Sequence, residues 1–203
     1  TIAVPLVGLA AWLGRNAVLS ELDAATVTMH LATAQAIFAM LLMAWVWSRP
    51  THADSAVTSS GVRQGADRRF RFLTIAAAAA IFVVLLSGSY AVGRGAGTVC
   101  PSWPLCNGGL IPDISLGWIH MAHRTLSGAA AVLVAWVAHV GWRSRRNSPG
   151  MGPASLLTVG LLVVQMVAGA ANPWLDFMPA VRAIHLSLAT ALWGSLVVMA
   201  ALS

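Results

Sequence analysis

The chain has 203 residues, of which 58% are hydrophobic and only 9% charged, where a soluble domain carries roughly 25% charged residues. Its net charge of +6 comes entirely from arginine, because the sequence holds no lysine. The arginines sit mainly in polar stretches between apolar runs, so they report membrane topology rather than a nucleic-acid surface, and the composition excludes a soluble globular domain.

In chain order the apolar runs are residues 2–14, 24–47, 72–92, 116–142, 154–171 and 180–202. A bilayer core takes helices of about 20 apolar residues. Only helices or closed barrels satisfy their backbone in lipid, and the roughly 10-residue alternating segments of barrel strands are absent. The predicted fold class is therefore all-α, a polytopic transmembrane helical bundle. The first run is too short to span and reads as the end of a helix. With no initiator Met, and with Ser203 inside an apolar run, the sequence reads as a piece of a longer protein.

Arginine counting predicts the orientation. Arg49, Arg63, Arg68, Arg69, Arg71, Arg143, Arg145 and Arg146 lie on one side, against Arg15, Arg94 and Arg182 on the other. The first group is placed in the cytoplasm. The Cys-bearing loop, residues 93–115, is then external, and the expected location is the plasma membrane of a prokaryote. The stretch 48–71 is rich in Ser, Thr, Gly, Asp and Arg without apolar periodicity, and reads as a cytoplasmic linker. The predicted organisation is residues 1–48 as one partial unit, 49–71 as linker and 72–203 as a complete four-helix unit.

Two helix pairs look alike. An apolar segment leads through the polar loop 15–23 into TVTMHLATAQAIF, with His30; LLVVQMVAGAANPW leads into VRAIHLSLATALW, with His185. Each is helix, outer loop, helix, with a His-Leu about one and a half turns into the second helix. Such repeats are common in membrane folds. Between them lies a pair with the Cys loop and WIHMAHR.

Ionisable residues inside a bilayer default to a functional reading. His30, His120, His123 and His185 lie at one level, roughly 6–12 Å in from the outer ends of their helices at about 1.5 Å per residue. His139 is about 24 Å deeper than His123 on the same scale and is given no role, and His52 falls in the linker. Two histidines from different helices at one depth suit a six-coordinate haem iron, here His123 and His185. The bland reading is that a membrane histidine merely hydrogen-bonds across helices. Small residues near the pair, Ser127, Gly128, Ala129, Gly169 and Ala170, leave room for a macrocycle. His120 shares roughly one helix face with His123 and could line the pocket or act as an alternative ligand. Arg124 and Arg182 flank the two candidates; they either pair with haem propionates or snorkel to water.

Cys100 and Cys106 are the sequence's two cysteines. A short external loop favours a disulfide, and a redox-active pair is the alternative. The spacing lacks the ligands of a zinc site and the C-x-x-C-H of covalent haem attachment.

Taken together, GSYAVGRGAGTVCPSWPLCNG, WIHMAHRTLSG and LVVQMVAGA…WL…VRAIHLSLATALW resemble the haem A synthase family of eight-helix membrane proteins. The resemblance implies two similar four-helix halves, each with a histidine pair. The C-terminal half holds haem b as a prosthetic group and the N-terminal half takes the substrate, haem O. The implied reaction oxidises the C8 methyl of haem O to a formyl group, giving haem A for terminal oxidases. By position, His123 and His185 match the haem b ligands, Cys100 and Cys106 the external disulfide, and His30 a histidine of the substrate half. His120 stands where the substrate half carries an acidic residue. The partner of His30, that acidic residue and the first Cys loop fall outside this chain, so these residues alone are expected to bind haem b without completing the reaction.

Implied partners are membrane lipid, haem O and the farnesyl transferase that makes it; an electron acceptor is not identified, and a homo-oligomer is compatible with the sequence. Two other classes compete. A bis-histidine cytochrome b for electron transfer predicts no second haem position, which the unpaired His30 disfavours. A transporter would use the histidines as proton relays, and the lack of membrane-embedded Asp or Glu argues against it.

Overall fold

The structure, a computed structural model, describes residues 3–48, 61–112, 114–143 and 150–203, with the backbone alone over 61–67. Six α-helices form among these residues: α1 (Ala3–Leu19), α2 (Ala24–Trp47), α3 (Gly61–Gly93), α4 (Ser115–Arg143), α5 (Met151–Trp174) and α6 (Pro179–Leu202), with a short 3-10 turn at Ala96–Thr98. Five stretches are long and apolar enough to cross a membrane: α2, α4, α5, α6 and Arg68–Gly93 of α3. The chain is an all-helical, multi-pass membrane protein, as its hydropathy predicts.

Two boundaries differ from the sequence reading. The stretch read as linker, 49–71, is helical from Gly61 onward, and residues 49–60 lie outside the described residues. Arginine, glutamine and alanine are good helix formers, so α3 continues below the apolar span, and Phe70 there is buried. The loop read as 15–23 begins later, because α1 runs to Leu19. Asn16 donates to the Trp12 carbonyl at 2.9 Å, an i−4 bond that keeps its polar side chain on the helix.

Helices α3, α4, α5 and α6 close a ring in which each packs on the next and α6 packs back on α3. Consequently α4 and α6 stand at opposite corners. Outside the ring, α2 packs against both α3 and α6, and α1 packs on α2. Lipid tails are as apolar as leucine, so packing and interhelical hydrogen bonds hold such helices together. Gln35 on α2 donates to Thr190 on α6 at 2.8 Å, and Thr158 on α5 bonds Ser195 on α6 at 3.0 Å. Large fully buried side chains, Val134, Val137, Leu192, Leu196 and Met199, fill the half of the ring away from the Cys-bearing loop. Toward the loop end that filling gives way to histidines, serines and glycines.

The repeat seen in sequence is a backbone repeat. The α1–α2 and α5–α6 connections match residue for residue in backbone angles and closing bonds at an offset of 155 positions. Glu21 and Leu22 have φ of 53° and 66°; Asp176 and Phe177 have 49° and 53°. The Leu22 amide bonds the Ala17 carbonyl at 2.7 Å, and the Phe177 amide bonds the Asn172 carbonyl at 2.7 Å. The residues that then open α2 and α6 match too: Asp23 at φ −49°, ψ 131° and Met178 at φ −49°, ψ 137°. Two consecutive left-handed non-glycine residues are costly, so their recurrence at one offset marks a shared turn that re-aims the chain for an antiparallel second helix.

Candidate functional site

His123 projects from α4 and its Nδ1 meets the Ser87 hydroxyl of α3 at 2.8 Å. That hydroxyl also donates to the Val84 carbonyl at 2.8 Å. A hydroxyl has one proton, so toward His123 it accepts, and Nδ1 carries the hydrogen. Nε2 is then the nitrogen with a free lone pair. This is the arrangement in which a second-shell partner fixes the tautomer of a ligating imidazole.

His185 projects from α6, at the opposite corner of the ring. Its Nε2 has the Gln165 side-chain amide of α5 at 3.4 Å, while His185 Nδ1 and Gln165 Oε1 are buried without a partner. His30, on α2, is separate from this pair: its Nδ1 meets the Ala10 carbonyl at 3.0 Å. A carbonyl only accepts, so here too Nδ1 is protonated and Nε2 is free. Of the histidines expected at one level, His123 and His185 belong to helices of one ring, and His30 belongs to the α1–α2 pair outside it.

The small residues divide. An added Cβ at Gly128 would meet nothing within 4 Å, whereas one at Gly169 would meet the His185 ring at 3.1 Å. His120 is 8% exposed; its Nδ1 is buried without a partner, and its ring stands edge-on to Phe177 at 6.4 Å. It therefore lies under the α5–α6 turn, one helical turn outward of His123.

The Cys-bearing loop covers the end of the ring where α3 ends and α4 begins. Cys100 and Cys106 are disulfide-bonded, with Cα atoms 4.6 Å apart, and pack with Met121. Asn107 and Gly108, both at positive φ, close a two-residue turn between Cys106 and Gly109, which exchange two backbone bonds of 3.0 Å; Asn-Gly is the favoured pair for such a turn. The loop contains a cis Trp103–Pro104 bond. Trp103 meets Trp174 at the end of α5 edge-on, with centroids 6.0 Å apart. Arg124 reaches out of α4 and donates to the carbonyls of Cys100, Ser102, Pro104 and Leu105 at 2.7–3.2 Å. Its guanidinium thus knits the disulfide loop to the helix that carries His123. Arg182 is exposed in the first turn of α6.

Among the described residues no group of three or more His, Cys, Asp or Glu converges as a metal site. A bis-histidine axial set needs only two. The donors present suit a haem iron: two neutral imidazoles on diagonal helices, one tautomer fixed, one ring nitrogen buried and orphaned. A buried polar atom without a partner is unusual enough to need an explanation. Ser87 and Gln165 carry no motif of their own, which is why the sequence did not reveal them.

Comparison with known proteins places the chain in a family. The family profile described as "Cytochrome oxidase assembly protein" matches residues 1–197. Proteins named "Heme A synthase" align over 138 residues: that of Bacillus mycoides (strain KBAB4) is 32% identical, and that of Bacillus cereus (strain AH187) 31%. The chain belongs to the haem A synthase family. Each alignment covers 66% of this chain and 44% of the relative, so the match spans less than half the length of those haem A synthases. Within the haem A synthase profile fall His30, His120, His123, His185 and both cysteines.

Proposed function

We propose that this chain forms part of a haem A synthase in which His123 and His185 hold a prosthetic haem b across the α3–α6 ring. The observation that carries the reading is the pair of imidazoles on opposite corners at one depth, with His123 Nε2 left as a lone-pair donor by Ser87. Haem b bound there supplies one-electron redox chemistry to the oxidation of the haem O C8 methyl to a formyl group. His30 serves the substrate side, and its cradled, Nδ1-protonated ring resembles those of the proposed ligands. A simple electron-transfer cytochrome would leave that ring without a role. Arg124 and the disulfide loop shield the outer edge of the site from water, and Arg182, exposed at the same end, is suited to a propionate.

The proposed orientation puts the Cys loop outside, in a prokaryotic plasma membrane, because Arg68, Arg69, Arg71 and Arg143 gather at the opposite end of the ring. Haem O and the farnesyl transferase that makes it are the proposed partners.

The test is pigment extraction from cells making haem O. The complete protein containing this chain is expected to yield haem A, and its His30→Ala variant to lose most of that yield while keeping haem b. The 203 residues alone are expected to carry haem b and form no haem A, because the match spans only 44% of the haem A synthases it aligns with. Undiminished haem A from the His30→Ala protein would refute the substrate-side role.

A further inference from the structure

Three histidines in three helix pairs rest on a glycine of the preceding helix. A Cβ built on Gly14 would lie 3.1 Å from His30 Cε1, one on Gly88 3.0 Å from His123 Cε1, and one on Gly169 3.1 Å from His185 Cε1. At each of these glycines the atoms nearest to the added Cβ all belong to that one imidazole. Glycines used for ordinary helix packing look different: Gly194 meets Phe38 and Leu42, and Gly141 meets Ser155, Met199 and Phe70. A glycine inside a helix costs about 1 kcal/mol relative to alanine, so three of them, each under a histidine, need a reason.

We propose that Gly88 and Gly169 are positioning residues that set the ring orientation of the haem ligands His123 and His185, and that Gly14 does the same for His30; this rests on the haem reading above. Cε1 lies between the two ring nitrogens. With the backbone against it, the ring cannot shift toward the neighbouring helix, and the direction of the ligating lone pair is fixed. An added methyl forces the ring away by a few tenths of an ångström. Metal–ligand distances tolerate about 0.2 Å, so the displacement is large on the scale that coordination notices. The device acts with a polar contact on one ring nitrogen: Ser87 on His123 Nδ1, the Ala10 carbonyl on His30 Nδ1, and Gln165 on His185 Nε2. Each proposed ligand is thus gripped by the helix before it at two points.

Gly8 and Gly160 are matched controls on α1 and α5, because a Cβ there meets nothing within 4 Å. The experiment loads the chain with haem b in membranes and compares Gly88→Ala and Gly169→Ala with Gly8→Ala and Gly160→Ala. The readouts are the low-spin electron paramagnetic resonance signal and haem retention on dilution. The cradle variants are expected to shift the low-spin signal and retain haem about 10-fold less well, the scale of lost second-shell support; the controls are expected to match the parent. A parent protein that binds no haem overturns the functional reading and this inference with it. Haem bound by the parent, with cradle variants indistinguishable from controls, overturns this inference alone. Failure of both cradle variants to accumulate, where the controls accumulate normally, would assign these glycines to folding and also overturn it.

Discussion

Ser87 gives its single proton to the Val84 carbonyl, and that choice makes it an acceptor for His123. Replacing it with alanine leaves the imidazole in place but frees its tautomer. Ser87→Ala is therefore expected to weaken haem binding about 10-fold or more and to move the haem midpoint potential, with Ser87→Thr restoring both; redox titration of the bound haem checks this. Asp23 shows a second consequence of one side chain. Its carboxylate accepts from the Thr26 amide at 3.0 Å and hydroxyl at 3.1 Å, and these bonds, the backbone one first, hold its pKa below the ordinary 3.8. A depressed carboxylate pKa stabilises the fold above the unfolded value and loses that contribution as pH falls through the folded one. Protection of the Thr26 amide from hydrogen exchange, relative to an unfolded amide at the same pH, should thus hold above pH 3.8 and fall below it, and Asp23→Ala should abolish the transition. The sequence showed the four histidines, since ionisable residues stand out in apolar runs. It did not show Ser87 or Gln165, whose role exists only when α3 faces α4 and α5 faces α6.

At the scale of the element, the repeat was legible as two His-Leu pairs, but its strength was not. The matching side chains are mostly apolar for apolar, whereas the structure repeats in the backbone: paired positive φ values and the same 2.7 Å closing bond. Backbone geometry leaves little trace when glutamate, leucine, aspartate and phenylalanine all occupy left-handed positions. The extension of α3 back to Gly61 escaped notice for a related reason, because arginine-rich sequence reads as linker by polarity and as helix by propensity. The packing of α2 on the ring gives a testable magnitude. Gln35 Nε2 bonds Thr190 across that contact while its Oε1 is buried without a partner. Thr190→Val should lower stability by about 0.6 kcal/mol, the average for interhelical bonds in a membrane protein, and by no more than about 1.7 kcal/mol, measured by unfolding in mixed micelles; no change would mean that α2 docks by packing alone.

The whole molecule joins two kinds of unit on one outer surface: two pairs sharing the repeat turn, and one pair carrying the disulfide loop. Membrane class and helix number were legible in composition, because a bilayer permits so few architectures. The ring was not, since apolar periodicity does not say which helices share a corner. That arrangement separates His30 from His123 and His185, which stood at one depth in the sequence. The most direct test of the central claim is the reduced-minus-oxidised optical spectrum of the purified protein beside its His123→Ala and His185→Ala variants. The account predicts a low-spin b-type spectrum in the parent, lost or converted to high spin in each variant. A normally folded parent without that spectrum, or one unchanged in both variants, would contradict it.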